Sequence, residues 1–276
     1  MRVSRLFIIS AAVLLFWTAG SQAALIVNDN FDSYANQAAY DAAWPSASTV
    51  GNGVLSTAQS VSSPNSVLIG TTGTRSGQSF SEIGNPSATS KIVWSFDFFD
   101  SAGTSNPYRQ SCNLQDTTAP TLTNQLLSLG LNNNLLTTQD GGNYYMARIL
   151  GYTPTFLPPT GTTANPAPTS GAYFKLNDPG TAPLRTTGWH NLKLEVTASG
   201  AAQDYRFYVD SILSKTVTGV GTTLRSYDNI RIGAGLTSIS SSNYDNMYLE
   251  TGVALPEPMA LGILGMGSLM MLRRRR

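Results

Sequence analysis

Apolar and polar residues alternate along most of this chain in short runs, each closed by Gly, Pro, Asn or Ser. That rhythm belongs to β-strands and turns. It is plainest in residues 91–97, where Ile92, Trp94 and Phe96 share one face and Val93, Ser95 and Asp97 the other. Residues 189–196 repeat it, with His190, Leu192, Leu194 and Val196 opposed to Trp189, Asn191, Lys193 and Glu195. Further strands are predicted at the apolar opening of 24–34 and at 54–55, 66–69, 78–83, 126–131, 144–150, 172–176, 205–210, 212–217, 227–232 and 244–249. Residues 126–131 are expected to pair with 144–150, and 205–210 with 212–217 in a hairpin around Ser211. Helical spacing shows only at 36–44, where Tyr40 and Trp44 lie four apart before Pro45 ends the turns. Residues 153–170 hold five prolines and cannot form a central strand; an exposed loop is expected there, with a linker as the other option. The fold class is all-β, a sandwich or barrel.

Both ends break the rhythm. Arg2 and Arg5 precede an apolar stretch over 6–19, and Ser21-Gln22-Ala23 supplies the small residues a signal peptidase reads. A secretory signal helix cut after Ala23 is expected, with a retained anchor as the alternative. At the other end Pro256, Glu257 and Pro258 hold off a helix, an uncharged apolar run spans 259–272, and Arg273, Arg274, Arg275 and Arg276 follow. As a helix the run would reach about 22 Å, short of the ~30 Å hydrocarbon core. The arginines would snorkel to the interface and hold that end on the cytoplasmic side. The expected organisation is a signal peptide at 1–23, one β-domain at 24–254 and a targeting segment with a short transmembrane helix at 255–276.

Charge sharpens this. Setting both ends aside leaves 11 basic and 15 acidic residues, a net charge of −4 where the whole chain carries +1. No basic stripe is present to neutralise phosphates, which argues against nucleic-acid binding. Charged residues are 12% of the chain, about half the usual share, the rest of the surface being neutral and polar. Cys112 is the only cysteine, so no internal disulfide can form, and a small buried residue is expected in preference to a link between chains. His190 is the only histidine and falls on a core-facing side, so it is read as structural. One His and one Cys cannot complete a usual zinc site.

Two ligand chemistries stay open. Asp97, Asp100, Asp228, Asn229, Asp245 and Asn246 are oxygen donors near strand ends. Of these, Asp228, Asn229 and Asp245 are the candidates for a structural calcium, against the reading that Asp-Asn pairs cap turns. Trp44, Tyr144 and Tyr145, with Tyr152 and Tyr244 behind them, are the candidate aromatic faces for a sugar.

Three segments resemble the concanavalin A-like, laminin-G-like jelly-roll β-sandwich: Gly188-Trp189-His190 leading a strand to Val196, Phe207-Tyr208-Val209-Asp210, and the aromatic-Asp-Asn steps at Tyr227-Asp228-Asn229 and Tyr244-Asp245-Asn246. Ser211 stands where that family usually has Gly. Related jelly rolls bind calcium, and glycosidases on the fold carry Glu-x-Asp-x-x-Glu on one strand. Glu82, Glu195, Glu250 and Glu257 are not in that spacing. The C-terminal segment resembles the PEP-CTERM sorting signal of exported bacterial proteins. That resemblance implies an exosortase-type enzyme acting at Pro256, Glu257 and Pro258, a transient inner-membrane tether, and an exopolysaccharide or biofilm-associated place in the cell envelope or outside the cell. A non-enzymatic envelope or matrix protein is the expectation. A carbohydrate-binding module is the alternative, and a polysaccharide-active hydrolase or lyase stands behind both.

Overall fold

The computed structural model describes residues 23–105, 108–118, 125–131, 143–151, 172–177 and 182–255. The expected signal helix up to residue 22, the proline-rich stretch 153–170, Tyr152, Pro256, Glu257, Pro258 and Arg273 to Arg276 lie outside these residues. Among the described residues no helix is long and apolar enough to cross a membrane.

The described strands are β1 (Ala24–Asp29), β2 (Val54–Ser56), β3 (Ser66–Ile69), β4 (Ser76–Ser79), β5 (Ser90–Asp100), β6 (Gln110–Asp116), β7 (Gln125–Leu131), β8 (Met146–Gly151), β9 (Ala172–Lys175), β10 (Gly188–Ser199), β11 (Ala202–Val209), β12 (Ile212–Val220), β13 (Asn229–Ile232) and β14 (Ser242–Ala254). One helix, α1 (Gln37–Ala43), follows β1. An eight-stranded sheet runs β12-β11-β10-β5-β14-β3-β2, with β1 also on β14, and a six-stranded sheet runs β4-β13-β6-β7-β8-β9. The ladders are antiparallel. The architecture is an all-β sandwich of two antiparallel sheets.

Alternation builds the layer between them. Along β5 every second side chain is buried, from Ile92 through Trp94 and Phe96 to Phe98. These meet Leu192 and Leu194 of β10 beside them and, from the other sheet, Leu114, Leu127, Leu129, Ile149 and Ile230 in one apolar cluster. Burying an aliphatic or aromatic side chain of this size contributes about 1.5–3 kcal/mol each. Phe31, Tyr34, Tyr40 and Trp44 plug one end, their ring centroids 5.7–6.4 Å apart in edge-on or tilted contacts. Asn36 caps α1 by accepting from Ala39 N at 3.0 Å.

β14 is the hinge of the larger sheet. One edge pairs with β5 over most of its length, while the other pairs first with β3 and then with β1. Its register against β5 shifts by one residue at each of two bulges, one between Asp245 and Tyr248, where Asn246 takes φ 48°, and one between Glu250 and Val253. The expected pairing of residues 126–131 with 144–150 is present as β7 on β8. The β11–β12 hairpin closes through Asp210 (φ 49°) and Ser211 (φ 66°), the two left-handed residues of a tight turn.

Two elements differ from the sequence reading. The strand expected at 78–83 ends at Ser79, after which Phe80 N and Ile83 N bond the carbonyls of Asp228 and Tyr227 outside any ladder. β6 carried no apolar alternation to announce it: only Cys112 and Leu114 face the core, and Ser111, Asn113 and Gln115 occupy the opposite side.

Candidate functional site

β5, β10, β11 and β14 turn a second set of side chains away from the core. Ladder register puts Tyr208, Lys193, Ser95 and Tyr248 in one row across these strands, and Arg206, Glu195, Val93 and Glu250 in the next. Asn191 stands opposite Asp97, and Trp189 opposite Phe99. At ~4.8 Å between strands, the backbones bearing Tyr208 and Tyr248 lie about 14 Å apart, and Ser95 to Phe99 covers about 13 Å along β5. Ser95 is the smallest side chain of its row.

The polar groups of this face hold one another in place. Glu195 accepts Lys91 Nζ at 2.8 Å and Lys193 Nζ at 3.3 Å on one oxygen, and the Tyr208 hydroxyl at 3.1 Å on the other. Burial, the largest single influence, pushes the Glu195 carboxyl upward, but the two lysines together hold it below the usual range. Burial and Glu195 push the Tyr208 phenol up to about 12. Lys193 Nζ also lies 4.1 Å from the centre of the Tyr208 ring. Asp97 accepts the amides of Asn191 at 2.8 Å and Asn246 at 2.7 Å, one on each oxygen. The Tyr248 hydroxyl donates to Glu250. Trp189 and Phe99 meet edge to face, centroids 5.4 Å apart, both half-buried.

Behind Trp189 and Phe99, the inward neighbours lock this end. Asp100 accepts Arg185 Nε at 2.9 Å and, on its other oxygen, the backbone N–H of Gly103 at 2.8 Å and the Tyr108 hydroxyl at 3.1 Å. Burial alone would raise the Asp100 carboxyl, but Arg185 and the backbone donors bring it below its ordinary value. His190 bonds Asp210 Oδ2 through Nδ1 at 2.8 Å and faces the Thr186 carbonyl at 3.0 Å through Nε2. Nε2 also lies 3.0 Å from the Thr186 hydroxyl, and the single histidine ties β10 to the hairpin turn.

Chemically the face offers ring surfaces interleaved with amides, carboxylates and ammonium groups. Glu195 and Glu250 flank Val93 two strands apart, about 10 Å between backbones.

The residues singled out from sequence fall elsewhere. Trp44 and Tyr145 have no exposed surface and cannot present a ring to a sugar. The Trp44 indole N–H donates to Asp29 at 2.8 Å, and Tyr145 packs against Phe98 and His190. Tyr244 is equally buried, and Tyr144 sits half-buried in the turn before β8. The three calcium candidates do not converge. Asp228, just before β13, accepts Thr117 N and Oγ1, and Asn229 of β13 donates to Ser79. Asp245, on the eight-stranded sheet, accepts Val61 N at 2.8 Å and Ser62 N at 3.1 Å. Asp228 and Asp245 hold segments more than a hundred positions away in the chain, and Asn229 bonds a neighbouring strand. Among the described residues no three His, Cys, Asp or Glu side chains gather closely enough to hold a metal. The aromatics of the face, Trp189, Phe99, Tyr208 and Tyr248, were not among the sequence candidates. The alternation in 91–97 and 189–196 already set apart the side opposite the core.

No protein-family model matches the chain, and no curated protein sequence does. Solved structures of similar fold include a cellulose-induced protein, Cip1, at 13% identity and TM-score 0.48, covering 81% of this chain and 96% of that one. An endo-1,3-beta-glucanase from Streptomyces sioyaensis has 14% identity and TM-score 0.48, covering 86% and 98%. The metal-free carbohydrate recognition domain of Emp46p has 10% identity and TM-score 0.46, covering 84% and 97%. At such identities the function rests on the chain's own residues.

Proposed function

We propose that this chain is an exported, non-enzymatic polysaccharide-binding protein of the cell envelope or extracellular matrix, built on a concanavalin A-like, laminin-G-like jelly roll. The observation that supports binding is the outer face of β5, β10, β11 and β14. There, four half-buried rings are interleaved with the Asn191–Asp97–Asn246 and Lys91–Glu195–Lys193 networks. Rings stack on the apolar faces of sugars while amides and carboxylates take their hydroxyls.

Delivery belongs to the same proposal. A signal peptide ending at Ala23 would lead the chain out. Pro256, Glu257 and Pro258, followed by an apolar run and four arginines, would serve as a sorting signal for an exosortase-type enzyme. Affinity electrophoresis and a glycan array, run on the purified chain and on Trp189→Ala, test the binding. Retention by at least one polysaccharide, weakened in the variant, is the expected result; no retention by any glycan overturns the reading. Mass spectrometry of the C-terminal peptide from surface protein tests the sorting. A mature chain that still ends in Arg276 would rule out processing.

A further inference from the structure

A second concave site lies beyond β3, at the β2 edge of the eight-stranded sheet. It is a cleft of about 490 Å³ whose wall includes Asp32, Tyr34, Asn36, Leu55, Thr57 and Pro64. That volume falls within the ~300–1,000 Å³ of small-molecule sites. None of its lining residues belongs to the aromatic face described above.

The lining selects by chemistry. Among the described residues Asp32 is the only acidic one in its lining and no Lys, Arg or His lines it, so an anionic ligand would meet no counter-charge there. The Tyr34 hydroxyl is committed to Asp29 at 2.5 Å, which leaves the half-buried ring as its contribution to the wall. Phe31 and Tyr40 back that ring at 6.4 and 5.8 Å. Leu55 and Pro64 add apolar surface. The Gln37 amide is fixed at both ends, donating to Asp41 at 2.7 Å and Gly53 at 3.0 Å and accepting Leu55 N at 2.8 Å, so the wall is rigid. Asp32 accepts Asn65 N on one oxygen and the Asn30 amide on the other, each at 2.8 Å, and every oxygen keeps a further lone pair. Asn36 commits Oδ1 to Ala39 N, which leaves its NH₂ group as a donor. The matching ligand has an apolar face, several hydroxyls and no negative charge.

We infer that this cleft is a separate site for a neutral pyranose, taking a sugar ring at a chain end while the sheet face takes the body of a polysaccharide. The inference rests on the glycan-binding reading but on none of that face's residues. Saturation-transfer NMR on the purified chain with glucose, galactose, mannose and N-acetylglucosamine tests it. At least one sugar should receive transfer. Thr57→Trp, which fills the cleft without removing a hydrogen bond, should weaken that sugar at least tenfold, and Asp32→Asn several-fold. If thermal melts show that Thr57→Trp misfolds, Asp32→Asn decides alone. Absence of transfer to all four sugars, or unchanged binding in the deciding variant, overturns the inference. Failure of polysaccharide retention with monosaccharide binding intact would overturn the sheet-face reading only.

Discussion

The carboxylate of Asp100 and the guanidinium of Arg185 meet inside the sandwich through two bonds, Nε to Oδ2 at 2.9 Å and Nη2 to Oδ1 at 3.2 Å, both side chains fully shielded from water. Removing one partner of a buried ion pair strands the other charge, at a cost of about 3–5 kcal/mol. Arg185→Ala should destabilise the chain by that amount in urea titration. The double variant Asp100→Leu/Arg185→Leu should lose less than the single one, because the stranded charge goes too. Additive losses would contradict the pairing.

His190 and Asp210 give the fold a pH signature. Burial is the largest influence on the imidazole and lowers its pKa. The Asp210 carboxylate, the Thr186 carbonyl and Asp100 outweigh it, and the net shift is upward from 6.5. Asp210 moves down from 3.8: burial opposes, and His190 with Asn191 N prevails. The raised imidazole contributes fully below 6.5 and loses its contribution as pH climbs through the folded value. The lowered carboxyl contributes above 3.8 and loses it as pH falls through its folded value. The pair is therefore worth most between 3.8 and 6.5. The melting-temperature gap between the native chain and His190→Gln should be wider near pH ~5 than near pH ~8.5. An equal gap at both would contradict the coupling.

The β11–β12 turn places Ser211 at φ 66° beside Asp210 at φ 49°. A side chain in that region costs on the order of 1 kcal/mol, part of which glycine removes. Ser211→Gly should stabilise the chain by about 0.5 kcal/mol in urea titration, the gain expected where the second turn residue is left-handed. A loss of stability would show that the Ser211 side chain compensates for its backbone.

On the aromatic face, Trp189→Ala should weaken the best-retained polysaccharide about tenfold, equivalent to about 1.4 kcal/mol and within the range of a single ring contact. Tyr248→Phe keeps the ring and removes only the bond to Glu250, and should change affinity by less than about threefold. Equal losses in the two variants would argue against stacking.

Strands with two unlike faces were legible in the sequence. In β5 and most of β10 alternating positions declare their side, and the inner and outer faces of the larger sheet follow from that alternation. β6 was not, because Asn113 and Gln115 are shielded on its outer side and give no apolar signal. Arg185 sits in a segment without periodicity, and its partner is 85 positions earlier, so nothing local announces the pair. Trp44 illustrates a signal set aside: its four-residue spacing from Tyr40 put both on one helical face, and that face is the core. Residue type alone says that an aromatic can stack on a sugar. The side of the strand it occupies says whether it is free to.

The place of β14 sets a timetable. β5 waits on one of its edges and β3 and β1 on the other, yet β14 is the last of the described strands to be synthesised. Until residue 254 is available, the larger sheet exists as separate pieces with open edges and nothing to join them. Closure is therefore a late, all-at-once event that depends on contacts far apart in the chain, which makes folding slow. A nascent chain of this design stays open through nearly all of its own synthesis, and any stop upstream of β14 leaves unpaired strands ready to capture a neighbour.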